Sequence, residues 1–139
     1  MAGTSEIVVT LPGGRRVDAR VGAHVVHTDQ PIDNGGEDTA PSPFQLFLAS
    51  VGTCAGIFVQ GFCAKRGISP DGIRIVQRQQ FDAESGTLAA VDIAIEVPPD
   101  FPEKYRDALV RVADQCSVKR TIHAQPRFDV RTVVGPGSP

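Results

Sequence analysis

The sequence predicts an α+β fold, and three observations carry that expectation. Runs that alternate apolar and polar residues come in pairs, no charged residue appears from Pro41 to Ala64, and an amphipathic stretch follows the second pair. The elements read strand, strand, long helix, strand, strand, helix, short helix, strand. That order departs from the alternation of strand and helix that builds a parallel sheet, so antiparallel sheets are expected.

The run EIVVTL is β-rich, PGGRR breaks it, and VDARVGAHVV (17–26) alternates as one strand with a buried face. Together they predict a first hairpin. HTDQPIDNGGEDTAPSP (27–43) gathers Pro, Gly, Asn and Asp into a long loop, the kind of segment that often carries function. Ser42 before Pro43 reads as an N-cap with proline in the first helical position, and KRG at 65–67 supplies basic residues and a stopping glycine. A helix from Pro43 to Arg66 follows, apolar on nearly all sides. Such a helix needs cover on all sides, more than one small set of strands can supply, and a partner subunit is expected. IRIVQRQQFDA and TLAAVDIAIEV alternate across ESG as a second hairpin. PPDFPEKYRDALVRVADQ sets Tyr105, Leu109, Val112 and Ala113 on one helical stripe. CSVKRTIHA predicts a short helix, RFDVRTVV (127–134) a final strand, and GPGSP (135–139) a disordered tail.

A length of 139 residues fits a single domain, 1–139. A net charge of −2 and a pI near 5.9 offer nothing to nucleic acid or to an anionic membrane surface. The uncharged run reaches the length of a membrane span, but Gln45 and Gln60 interrupt it and small and hydroxyl residues dilute it, so a helix buried in a soluble assembly is the expectation. The N-terminal segment has no basic start followed by an apolar core, so no secretory signal is expected. Three cysteines without any CxxC argue against a disulfide framework and a zinc knuckle, leaving a reducing, cytoplasmic setting as the default. No cofactor or metal is expected. His24 and His27 fall on opposite faces of a predicted strand, and NGGED lacks phosphate-loop spacing.

Cys54, in SVGTCAG, reads either as a small buried hydrophobe or as a working thiol. Cys63 lies nine positions on along the same helix, about 180° round the axis and about 13 Å along it. Bridged cysteines have Cα atoms within about 7 Å, so these two cannot pair, and a redox partner for Cys54 within the chain would be Cys116. Cys116 opens CSVKR, near a helix start with Lys119 and Arg120 one turn on, a setting that favours thiolate.

PSPFQLFLASVGTCAGIFVQGFCAKRGI, followed downstream by ADQCSVKRTIHAQPRFDV, resembles the OsmC/Ohr family of osmotically inducible and organic hydroperoxide resistance proteins. The resemblance covers nearly the whole chain. It implies an intertwined homodimer in which antiparallel sheets wrap long central helices. It also implies thiol-dependent reduction of organic hydroperoxides, a peroxide-detoxifying, oxidative-stress function. Cys54 would attack the peroxide and become a sulfenic acid, Cys116 would condense with it, and an external dithiol would reduce the bridge. Cys63 matches neither family cysteine and reads as core. The family's well-characterised peroxidases carry a thiolate-stabilising arginine in the first hairpin, where GGRR offers Arg15 or Arg16, with Arg16 preferred.

Those peroxidases also place a glutamate directly after the helix proline to orient that arginine. This chain has Phe44 there, then Gln45, and Glu37 or Asp38 of the loop are the carboxylates available to substitute. The departure resembles a less characterised OsmC-like branch. It keeps a second function open: a non-enzymatic or redox-sensing dimer that holds a small apolar ligand.

Overall fold

The computed structural model describes residues 3 and 5–135. They fall into two compact units, divided between Thr53 and Cys54. The first begins with three antiparallel strands in the order β1–β2–β3: β1 (Val8–Gly13), β2 (Arg16–Val21) and β3 (His24–Thr28). The expected single strand over 17–26 is therefore two strands. Gly22 sits at φ +60°, a left-handed conformation open to glycine, and the chain turns there so that Val21 pairs with His24 and Ala19 with Val26. Alternation continued through the turn, and it concealed the reversal.

The loop after β3 is organised around one carboxylate. Asp29 is 1% exposed. Its Oδ1 accepts from the Gln30 amide at 2.8 Å, and its Oδ2 accepts from the Thr39 hydroxyl at 2.7 Å and from the Thr39 and Glu37 amides at 3.1 and 3.3 Å. The chain passes through a 3-10 turn, Ile32–Asn34, and returns so that the Asp29 amide donates to Pro41 O. A buried carboxylate persists when donors satisfy its lone pairs, and here they come from both ends of the loop. The Thr39 hydroxyl first, then the Thr39 and Gln30 amides, lower the Asp29 pKa from 3.8 to about 2. A depressed carboxylate stabilises the fold above its unfolded pKa and loses that contribution as pH falls through the folded one. The melting temperature is thus expected to fall between about pH 4 and pH 2, and less steeply in Asp29→Asn, as thermal melts across that window would read.

α1 (Pro43–Lys65) starts in the first unit and ends in the second. Ser42 is its N-cap as expected. The Gln45 amide donates to Ser42 Oγ at 3.3 Å and the Ser42 amide to Gln45 Oε1 at 2.9 Å, a reciprocal box that satisfies two backbone donors.

The second unit pairs β4 (Arg74–Phe81) with β5 (Leu88–Glu96), antiparallel, with Ile75 opposite Ile95 and Gln77 opposite Ile93. Ile73, Ile75, Ile95 and Val97 share the face that meets the core, where Ala55, Val59, Phe62 and Cys63 of α1 form a stripe at helical spacing. A 3-10 turn (Glu103–Tyr105) leads into α2 (Arg106–Ala113), and its predicted stripe is the buried one. Leu109 and Ala113 are enclosed, with Tyr105 and Val112 packed beside them. Arg66 lies 3.6 Å above the Phe62 ring at the end of α1. α3 (Ser117–Ala124) follows as expected.

One expectation is corrected in this unit. Residues 127–134 are not a strand: the alternation is present, but no strand of the unit forms a ladder with them, and Phe128, Val130 and Val134 are 84%, 96% and 105% exposed. A strand's backbone groups need a hydrogen-bonded neighbour, which pattern alone does not supply. On α1, Ile57 is exposed in this unit, and Phe44 and Phe47 are exposed in the first. Of the tail expected at 135–139, residues 136–139 lie outside the described residues.

Candidate functional site

Cys54 is half-buried on α1, one position before the core residue Ala55. Cys116 is fully buried and occupies the N-cap position of α3, with φ −53° and ψ 124°, but its side chain makes no capping hydrogen bond. Helix starts leave amides without intrahelical acceptors. At α3 the Cys54 sulfur fills that role. Its Sγ lies 3.5 Å from Ser117 Oγ, and hydrogen bonds from the Val118 amide, then the Ser117 hydroxyl, then the Cys116 side chain lower its pKa from 9.0 to about 7. Every one of these donors is uncharged and belongs to the second unit. α3 has no acidic residue in its first turn, so no carboxylate competes for its positive end.

The thiolate share of Cys54 near pH 7 is therefore well above that of an ordinary thiol. The three cysteines are unbridged. The two thought to work together are brought together, while Cys63 is buried in the core with its thiol pushed up by desolvation, unsuited to nucleophilic work.

The helix start at CSVKR was expected to favour a thiolate on Cys116. Its amides instead serve Cys54, and Lys119 is engaged with Asp114. Arg16 opens β2 and is exposed. The Arg15 guanidinium packs against Gly35. His27 lies in β3, its ring nitrogen 2.9 Å from Asp18 Oδ1. Ser117 was missed, although its place directly after Cys116, at a predicted helix start, was the available signal.

A cavity of about 140 Å³ in the second unit is lined by Ala55, Ile93, Ile95, Val110 and Ala113 with the Asp114–Lys119 ion pair. Two of its lining residues are sequence neighbours of the site: Ala55 follows Cys54, and Lys119 follows Val118 in α3.

A family model described as OsmC-like protein matches residues 35–131. Among solved structures, one described as an osmotic stress induced and detoxification response protein from Psychrobacter arcticus 273-4 is 25% identical with a TM-score of 0.74, over 88% of this chain and 91% of that one. Bacillus subtilis organic hydroperoxide resistance protein OhrB is 22% identical (TM-score 0.53, 86% and 90% covered). A Legionella pneumophila organic hydroperoxide resistance protein OsmC is 21% identical (TM-score 0.55, 87% and 91% covered). No curated protein matches the sequence.

Proposed function

The chain belongs to the OsmC-like protein family, and from that membership we propose that it reduces organic hydroperoxides through Cys54 and Cys116. The observation that carries the reading is the Cys54 sulfur held against the start of the helix that Cys116 opens, with its pKa at about 7. The Cys54 thiolate attacks one peroxide oxygen, an S–O bond forms as the O–O bond breaks, and the alkoxide takes a proton and leaves as alcohol. Cys54 is then a sulfenic acid, oxidised by two electrons. The Cys116 thiol attacks that sulfur, the S–O bond breaks as the S–S bond forms, and the departing hydroxide takes the thiol proton and leaves as water. An external dithiol reduces the protein disulfide by two exchanges and is itself oxidised, completing the balance of hydroperoxide plus dithiol to alcohol, water and disulfide.

Family likeness adds Arg16 as a guanidinium acting on the thiolate, and a homodimer as the working form in the cytoplasm. The exposed Phe44, Phe47 and Ile57 of α1 support a second copy as the missing cover. The apolar cavity supports an organic rather than an inorganic peroxide. It equally suits the second reading, a dimer that holds a small apolar ligand without turnover.

Stopped-flow oxidation of the reduced protein by cumene hydroperoxide and by hydrogen peroxide, with thiols mapped by mass spectrometry, separates the two. Expected is rapid loss of the Cys54 thiol, faster with the organic peroxide, and a Cys54–Cys116 disulfide. In Cys116→Ser the first oxidation persists but steady turnover with dithiol falls at least about tenfold, as sulfenic acid goes on to sulfinic acid. Oxidation no faster than that of a free thiol would replace peroxide reduction with ligand holding.

A further inference from the structure

We infer that Ser117 is a catalytic residue of this site, its hydroxyl joining the Val118 amide to hold the Cys54 thiolate at the start of α3. The reaction it would serve is the one proposed above; the thiolate itself can be tested without any peroxide. Two observations converge on the hydroxyl. Ser117 Oγ lies 3.5 Å from the reacting sulfur. Cys116, at the N-cap position, makes no side-chain cap of its own, so the α3 amides receive their acceptor from α1.

The magnitudes decide whether such donors help or hinder. Lowering a thiol pKa from 9.0 to about 7 raises the thiolate fraction at pH 7 about fiftyfold. Nucleophilicity falls with basicity at a Brønsted slope of about 0.45, a loss of about eightfold over two units. The net gain is about sixfold. The same donors lie beside the sulfur when it carries oxygen, so the Ser117 hydroxyl remains within reach of the sulfenate and one residue from the Cys116 thiol that must attack it.

The test is the pH profile of Cys54 alkylation by iodoacetamide, located by mass spectrometry in the full chain. Wild type is expected to titrate near pH 7, Ser117→Ala about one unit higher, and Ser117→Thr close to wild type because the hydroxyl is retained. Ser117 is exposed, so neither change disturbs the core. The midpoint is also expected to move little with added salt, since direct hydrogen bonds from uncharged groups are screened less than a cation at a distance. An unchanged midpoint in Ser117→Ala would overturn the assignment. A shifted midpoint in a protein that reduces no peroxide would uphold it and remove the reductase reading alone.

Discussion

Cys54→Ser is expected to lose hydroperoxide turnover by at least about three orders of magnitude, down to the uncatalysed background, as assayed with cumene hydroperoxide and dithiothreitol. Two physical reasons set the size of the effect. A serine hydroxyl is negligibly ionised near pH 7, and oxygen cannot take up the two-electron oxidation that carries sulfur to sulfenic acid. The substitution is nearly isosteric at a half-buried position, so the fold should survive it. Cys63 offers no substitute, being fully buried with its thiol pushed up by desolvation. Retained turnover in Cys54→Ser would move the chemistry to Cys116 and dismantle the proposed cycle.

Gly36→Ala should have the largest effect on stability. A Cβ at residue 36 would stand 1.9 Å from the Gln30 carbonyl oxygen, 2.5 Å from its carbon and 2.8 Å from its Cα. All three are backbone atoms, and no rotamer change relieves the overlap. Relief requires the turn that lets Gly36 donate to Pro31 O and Asp38 to Gln30 O to open, and with it the ring of donors around Asp29. We expect a loss of about 3 kcal/mol, at the upper end for an overpacked site, and a melting temperature lower by about 10 °C. Gly61→Ala is the control: nothing lies within 4 Å of the added methyl group on α1, and an alanine in a helix interior should leave stability unchanged or raise it by up to about 1 kcal/mol. Equal melting temperatures for the two variants would show that the loop yields without cost.

Both predictions concern residues whose importance reads very differently from sequence. Cys54 is conspicuous within an uncharged helix, and together with a distant cysteine near a second expected helix start it carried the resemblance drawn from the sequence. Gly36 looks like any turn glycine in NGGED. Its constraint comes from a carbonyl six residues earlier that approaches only once the loop is closed. The Asp29 carboxylate is similar, since its partners at 30, 37 and 39 carry no periodic signal and meet because the chain returns on itself.

The sequence by itself determined the kind and order of the helices, the second pair of strands, the N-cap at Ser42 and the buried stripe of α2. These follow from local periodicity and local capping chemistry, which a chain carries wherever it is placed. Only the tertiary structure decided that VDARVGAHVV turns back at Gly22, that 127–134 finds no ladder partner in its unit, and that the start of α3 serves Cys54 rather than Cys116. Alternation states which side of a strand is apolar without naming its neighbour, and a helix start offers donors without choosing the anion. Both choices are made by contacts between residues far apart in sequence, here the 63 positions that separate Cys54 from Ser117.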